Sequence, residues 1–282
     1  MTTTPAVTPR TALAGRVTLP RLLISEWIKL RTLRSTWWGL GATAVVTALI
    51  GWLVCLAQAH QFHNDEHVRG PNGAFAIHFI PNAAQLSLTG IHLSQLIIGT
   101  LGVLVVTGEY STRMVLATLS ATPRRLPVLV AKGVVFSAIA IVVCEIANVI
   151  AFELGQAALK STGQRATWDT VGTPRAVFGA GLYLLLIGLF GVGLGFVLRS
   201  TAAAISTLMG LVLVLPLIAT ALPHPYNTDI GKFLPMLAGT QIIVTPYRDP
   251  DFLTPWIGLG VLALWVAAAL GAGAYVLHRR DA

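Results

Sequence analysis

Six long apolar runs constrain this chain more than any other feature of its sequence. They cover about residues 37–57, 89–107, 128–152, 176–198, 201–222 and 255–277. Each run is close to the ~20 residues that a helix needs to cross ~30 Å of hydrocarbon. A helix is the only single segment that satisfies its own backbone hydrogen bonds in lipid. The runs therefore predict an all-α integral membrane protein whose six transmembrane helices form one domain over residues 37–282.

The scarcity of charged residues supports lipid as the solvent. Only 11% of the 282 residues are charged, against about 25% in an ordinary soluble domain. The net charge of +8 would suggest nucleic-acid binding in a soluble protein. Here the basic residues flank the apolar runs, as they do in membrane proteins. We therefore predict membrane lipid as a partner and no nucleic acid.

The distribution of Lys and Arg predicts the orientation. With the N-terminus in the cytoplasm, thirteen of the 19 basic residues fall in inner segments and six in outer loops. Cytoplasmic loops carry an excess of Lys and Arg. Both termini are thus predicted to be cytoplasmic, in a multi-pass protein of the cell membrane.

Residues 21–36 form an amphipathic pattern before the first run. Wound as a helix, Trp27 lies on an apolar face with several leucines, and Lys29 lies opposite. A basic helix with Trp and Leu on its other face lies flat in the headgroup region. Glu26 falls within the apolar arc and needs a partner, for which Lys29 at i+3 is the nearest candidate.

Three further segments lie outside the runs. Residues 1–20 are rich in Thr, Ala and Pro without helical periodicity, which predicts a disordered tail. Residues 75–88 and 233–244 are apolar but too short to cross. They are predicted to form short re-entrant or interfacial helices at the outer surface, the second of them just before the last span.

The segment between the second and third runs is predicted to face the cytoplasm. Residues 112–120 have an apolar side, and Arg124 and Arg125 follow. A short amphipathic helix ending in two arginines suits docking to a soluble partner. It equally suits binding to anionic headgroups through the arginines, and the residues alone leave both interpretations open.

The order of several motifs carries a family resemblance. They are Ser25-Glu-Trp-Ile-Lys-Leu-Arg31, Ser35-Thr-Trp-Trp38, Gly108-Glu-Tyr110, Thr122-Pro-Arg-Arg125 and Lys132. In this order and spacing they resemble the permease subunits of ABC-2-type ABC transporters. Leu234-Pro-Met-Leu-Ala-Gly239 is similar to the outer-loop motif of actinobacterial members of that family.

The resemblance implies roles for two segments. Residues 21–36 would be the elbow helix along the inner surface, including Glu26, Trp27, Lys29 and Arg31. The loop after the second span would be the coupling helix that contacts an ATPase subunit. Its implied coupling residues are Glu109, Tyr110, Arg113, Thr122, Pro123, Arg124 and Arg125. The chain departs from the family at Ser111-Thr112-Arg113, where a basic residue and Gly-Thr more often follow Glu-Tyr.

The resemblance also implies partners and a function. The chain would be the membrane-spanning subunit of an exporter of a small or amphiphilic molecule, paired with a second copy or a paralogue. ATP and Mg²⁺ would be bound by a separate ATPase chain. The sequence agrees, since a Walker A motif requires Gly-x4-Gly-Lys-Ser/Thr and the one Gly-Lys pair, Gly231-Lys232, is followed by Phe. No cofactor and no enzymatic activity are predicted for this chain.

Glu145 lies well inside the third run. An ionised carboxylate at such depth costs about 2.5–3.5 kcal/mol on insertion scales, so it is expected to face the protein interior or a wet cavity. Asn148 follows one turn later on a similar face. A substrate-path role, a structural hydrogen-bonded acid, and a proton site in an ion-coupled carrier all remain open.

His63, Glu66 and His67 match the H-x-x-E-H zinc-hydrolase pattern. They fall in a polar stretch just outside the first span, with no third ligand assigned. A solvated loop is the favoured interpretation and no metal site is predicted, with a membrane-embedded zinc hydrolase as the weaker alternative.

Glycines are concentrated in the fourth run, and several lie three or four residues apart. Such spacing lets membrane helices approach closely. We therefore predict tight helix packing around Gly179, Gly181, Gly188, Gly191, Gly193 and Gly195.

Overall fold

A computed structural model describes residues 18–66, 83–112, 114, 126–163, 165–245 and 251–279; for 62–66 it describes the backbone only. Throughout these residues the regular structure is helical, without strands. Six of the helices in this part of the chain are long and apolar enough to cross a membrane. The prediction of an all-helical protein with six helices of membrane-spanning length and apolarity is therefore confirmed for the described residues.

Eleven α-helices are present in the described residues. In chain order they are α1 (Leu19–Thr32), α2 (Arg34–Glu66), α3 (Ala83–Ser87), α4 (Ile91–Ser111), α5 (Leu126–Ala158), α6 (Thr173–Leu198), α7 (Thr201–Met209), α8 (Leu215–Thr220), α9 (Tyr226–Gly231), α10 (Pro235–Gly239) and α11 (Pro255–Arg279). The long helices are α2, α4, α5, α6, the α7–α8 unit and α11. Some extend beyond the apolar runs, since hydropathy marks only the apolar part of a helix.

The N-terminal helix α1 begins two residues earlier than the predicted elbow, within the predicted tail. Pro20 occupies its first turn, where the missing N–H costs nothing. Leu33 alone separates α1 from α2. Leu22 and Leu30, two turns apart, are buried, and Leu22 packs on Val128 and Ala131 of α5. The helix is thus held against the bundle along a narrow stripe.

Helix α6 forms the centre of the bundle and packs on α4, α5 and α11. At its crossing with α4, a Cβ on Gly102 would collide with the carbonyl oxygen of Gly188. A Cβ on Gly191 would likewise collide with the carbonyl oxygen of Gly99. The predicted close approach of glycine-rich helices is therefore present, and it brings backbone against backbone.

The fifth span is irregular near Pro216. A π-helical segment, Gly210–Val214, separates α7 from α8, and Pro216 lies in the first turn of α8. Proline lacks an N–H, and its ring clashes with the carbonyl four residues earlier, so the helical hydrogen bond between these two positions is lost. A π-bulge in the preceding turn is a known accompaniment of such an interruption in an α-helix.

Short helices cover the end of the bundle opposite α1. Helix α10 and a following 3₁₀ turn, Thr240–Ile243, pack against α11 and α6. Helix α3 lies within the first predicted outer segment, and the earlier residues of that segment are outside the described part of the chain. Gln156 of α5 secures α3 by donating a hydrogen bond of 3.0 Å to the carbonyl of Ala83.

Candidate functional site

Four charged side chains from three helices meet at one end of the bundle. Glu26 and Lys29 come from α1, Glu109 from α4 and Lys132 from α5. We call these four residues the ion cluster. Two carboxylates and two ammonium groups alternate in it, so that each charge has opposite charges as its neighbours.

The distances within the ion cluster are those of strong charge-assisted hydrogen bonds. Lys29 Nζ lies 2.6 Å from Glu26 Oε1 and 2.9 Å from Glu109 Oε1. Lys132 Nζ lies 2.7 Å from Glu26 Oε2 and 2.9 Å from Glu109 Oε1. The ion pair of Glu26 with Lys29 that the sequence predicted is present. It is one edge of a ring that the sequence did not predict.

Lys132 is the most fully engaged member. Besides its two carboxylate partners, its Nζ donates to the carbonyl oxygen of Val105 at 3.2 Å. All three donors of the ammonium group are therefore used. The side chains of Lys132 and Glu26 are only 3% and 1% exposed. At this burial, a single unpaired charge would be strongly destabilising, so the four charges depend on one another.

Lys29 is held in its charged form by the two acids. Burial by itself would lower the pKa of its ammonium group, but hydrogen bonds and charges from Glu26 and Glu109 outweigh burial and raise the pKa above its ordinary 10.5. The helical wheel placed Lys29 on the polar face of α1. Its side chain instead turns toward the bundle and is 25% exposed.

The ion cluster brackets the loop that joins α4 to α5, residues 112–125. Glu109 lies in the last turn of α4, and Lys132 lies in the second turn of α5. Helix α1 is thus tied to both bases of this loop at once. Arg113, Thr122, Pro123, Arg124 and Arg125, the other implied coupling residues, lie outside the described residues.

A second contact joins the same end of the bundle through Arg199. Its guanidinium lies 5.5 Å from the ring centroid of Tyr110, within range of a cation–π interaction. It also donates to the carbonyl oxygen of Val276 in α11 at 3.3 Å. Tyr110, an implied coupling residue, is thereby connected to the ends of α6 and α11.

Sequence reasoning did not assign a site role to Lys132 or Arg199. Both carried a signal. Lys132 lies inside an apolar run, where a charged residue requires a partner. Arg199 lies alone between two spans and, as the C-cap of α6, adopts a left-handed backbone conformation with φ of 53°.

The other α1 residues of the implied elbow face outward. Trp27 is 47% exposed, and Arg31 is exposed as well. The carbonyl oxygen of Arg31 accepts a hydrogen bond of 3.0 Å from Trp37 Nε1, which bridges the junction of α1 and α2. The buried and outward faces of α1 therefore differ in chemistry.

Glu145 and Asn148 lie deep in the bundle, away from the ion cluster. The half-buried Glu145 carboxylate packs directly over Gly181 of α6, where a Cβ would collide with it. Within the described residues, Glu145 Oε2 and both amide atoms of the buried Asn148 have no hydrogen-bond partner. The two residues thus place unsatisfied polar atoms on one face of α5.

The H-x-x-E-H residues cannot be assembled into a site from the described atoms. The side chains of His63 and Glu66, and the whole of His67, lie outside the described residues. Among the residues that are described, no group of three or more His, Cys, Asp or Glu is arranged to hold a metal ion.

Comparison with known proteins gives no family. No family model matches the chain, and a search of curated proteins finds no match either. Fold and composition together define the class: the chain is an all-helical, multi-pass membrane protein.

Proposed function

We propose that this chain is the membrane-spanning permease subunit of an ABC transporter of the ABC-2 type. It exports a small or amphiphilic molecule with energy from ATP hydrolysed on a separate ATPase chain. The observation that carries the proposal is the ion cluster, because it ties α1 to both bases of the loop 112–125.

The ion cluster suits the transmission of movement from that loop. A partner that displaces the loop acts on the last turn of α4 and the first turns of α5. Glu109 and Lys132 sit at those two points and share α1 as a common partner. Buried, fully hydrogen-bonded charges resist separation, so α1 moves with the two helix ends. The Arg199–Tyr110 contact extends the connection to α6 and α11.

The proposal assigns the remaining parts as follows. The loop 112–125 and both termini face the cytoplasm, α1 lies along the inner surface of the cell membrane, and two copies or a copy and a paralogue form the transport path. ATP and Mg²⁺ belong to the partner ATPase, in keeping with the missing Walker A motif.

Co-purification tests the proposal directly. The tagged chain, solubilised in mild detergent with ATP present, is expected to retain a P-loop ATPase identified by mass spectrometry. The double variant Arg124→Glu with Arg125→Glu should insert normally but lose the ATPase. Arg10→Glu with Arg16→Glu makes the same change in net charge in the N-terminal segment and should retain it. Undiminished ATPase recovery with the loop variant contradicts the proposed contact.

Glu145 supports a second candidate, an ion-coupled carrier. Its buried oxygen without a hydrogen-bond partner in the described part of the chain is what a proton-binding site in a membrane requires. In proteoliposomes of the purified chain, this candidate requires transport driven by a pH gradient without ATP and abolished by Glu145→Gln.

Glu153→Gln is the matched control for that experiment. Glu153 lies on the same helix but at its exposed outer part, where it accepts a hydrogen bond of 2.8 Å from Trp168 Nε1. Transport that needs the ATPase and ATP, and that survives Glu145→Gln, excludes the carrier.

A further inference from the structure

A groove of about 450 Å³ lies between the start of α5 and the end of α11. It is lined by Leu126, Ala274, Tyr275, His278 and Arg279. Its volume falls within the range of ~300–1,000 Å³ that is typical of sites for small ligands. Because its lining comes from the two helix ends, the groove opens at the side of the bundle and at its end.

The lining changes from apolar to cationic along the groove. Leu126 and Ala274 form the apolar part, and Leu126 is 50% exposed although it is a large apolar side chain. His278 and Arg279 supply nitrogen donors in the last turn of α11, with both side chains exposed. Within the described part of the chain, protein atoms therefore leave uncovered both an apolar wall and a cationic rim.

Tyr275 and Arg279 form a stacked pair in the groove. The guanidinium carbon lies 5.2 Å from the ring centroid of Tyr275. Stacking restricts the guanidinium while its N–H groups remain available, and the planar fork of arginine matches the oxygens of a phosphate. The arginine is thus positioned for an anion that arrives at the end of α11.

The position of the groove along the bundle suits a phospholipid headgroup. Lys132 of the ion cluster is two turns along α5 from Leu126, so groove and ion cluster share one end of the bundle. The apolar run 255–277 stops just before His278 and Arg279, so the rim is expected at the boundary between hydrocarbon and water. Basic pockets between membrane helices at the cytoplasmic side bind anionic headgroups.

We propose that this α5–α11 groove binds one phospholipid with an anionic headgroup. The phosphate contacts Arg279 and His278, and one acyl chain lies along Leu126 and Ala274. Positive charge on the rim selects an anionic over a zwitterionic headgroup. The inference does not depend on the transport function proposed above.

Native mass spectrometry of the purified full chain tests this inference. The protein is titrated with dioleoyl phosphatidylglycerol, with dioleoyl phosphatidylcholine, and with glycerol phosphate as a chain-free headgroup. One retained phosphatidylglycerol is expected at concentrations where phosphatidylcholine and glycerol phosphate give none. Equal retention of the two lipids, or displacement of the lipid by glycerol phosphate, overturns the inference.

Variants assign the binding to the groove. Arg279→Gln should weaken phosphatidylglycerol binding about fivefold, the effect of one basic residue near an anionic headgroup. Arg34→Gln removes an exposed arginine at the start of α2 and should leave the affinity unchanged. Ala274→Trp fills the apolar part of the groove and should also reduce phosphatidylglycerol binding.

The thermal unfolding of each variant must match that of the parent chain. Arg279→Gln tests the cationic rim of the groove, and Ala274→Trp tests its apolar part independently. Unchanged binding in a folded Arg279→Gln protein overturns the inference. An equal loss in Arg34→Gln does so too, because it indicates general attraction to a basic surface.

Discussion

Lys132 is the residue on which the ion cluster depends most. Replacing it with Met should lower the free energy of unfolding by about 3–5 kcal/mol, because two buried carboxylates, Glu26 and Glu109, are then left with Lys29 as their one shared cation within the ion cluster. Denaturant unfolding of the purified chain in detergent measures the change.

Lys232→Met is the matched control for Lys132→Met. Lys232 pairs with Asp229 at 2.9 Å in an exposed setting, where an ion pair is worth about 0–1 kcal/mol. If Lys132→Met and Lys232→Met lost comparable free energies of unfolding, the conclusion that the ion cluster depends on Lys132 would be contradicted. In a double-mutant cycle, Glu26→Gln should recover part of the stability lost in Lys132→Met, since it removes one uncompensated charge.

The raised pKa of Lys29 predicts how stability depends on pH. A lysine whose pKa is raised on folding contributes stability that is complete below its unfolded pKa and is lost as pH rises through the folded value. For Lys29 this loss begins above its ordinary 10.5. Lys29→Arg keeps its charge at higher pH. The melting temperature of the variant should therefore exceed that of the parent chain above about pH 10.5 by a margin absent at about pH 8.

If the melting temperatures of the parent chain and of Lys29→Arg fell in parallel above about pH 10.5, this prediction would be contradicted. Lys29→Met serves as the control, because it lacks the titrating group. The melting temperature of Lys29→Met should lie below that of the parent chain by a constant margin up to about pH 10. Above that pH the margin should shrink, because the parent chain then loses the charge on Lys29.

At the residue scale, the sequence predicted local pairs and missed those that depend on tertiary structure. The pair of Glu26 and Lys29 follows from helical spacing alone. The contact of Glu26 with Lys132 requires α1 to fold back on α5, across a separation of 106 residues. The contact of Lys29 with Glu109 likewise requires α1 to lie against α4, across a separation of 80 residues. The helical wheel also misplaced Lys29, because it treats side chains as radial, and a four-carbon stem can turn back along the helix surface.

At the scale of elements, the crossing of α4 and α6 depends on glycine. Gly102→Ala should destabilise the protein by about 1–3 kcal/mol, since its Cβ meets the carbonyl oxygen of Gly188, a backbone atom that cannot rotate away. Thermal unfolding in detergent measures the effect.

Gly271→Ala is the control for that crossing. Its Cβ meets nothing within 4 Å, so the change should be neutral or slightly stabilising. If Gly102→Ala were tolerated as well as Gly271→Ala, the close approach of α4 and α6 would be wrong.

The long elements were predictable and the short ones were only partly so. Hydropathy suffices for a span because lipid imposes both its length and its apolar surface. Helices such as α9 and α10 have five or six residues and owe their stability to neighbours rather than to propensity. The apolar stretch 233–244 predicted a short helix where α10 lies, although not its bounds. Helix α9 is mostly polar and was not predicted.

At the scale of the whole molecule, charge and burial are distributed along the bundle axis. The ion cluster, Arg199 and the α5–α11 groove lie at one end, and α3, α9 and α10 lie at the other. The positive-inside rule predicts which end faces the cytoplasm from Lys and Arg counts alone. The sequence could not show that some of those same basic residues are drawn into the protein, since Lys29 and Lys132 contact carboxylates from distant segments.

The orientation is tested by labelling single introduced cysteines from one side of the membrane. The two native cysteines, Cys55 and Cys144, are buried and should react slowly. Tyr226→Cys lies in exposed α9, and Ser111→Cys lies at the exposed end of α4 beside the ion cluster. In intact cells a membrane-impermeant maleimide should modify Tyr226→Cys at once and Ser111→Cys only after permeabilisation. The reverse pattern would place the loop 112–125 outside the cell, where no cytoplasmic ATPase can reach it. The proposed permease function would then have to be abandoned, because it requires contact between this loop and the ATPase. The fold and the ion cluster do not depend on the orientation and would stand.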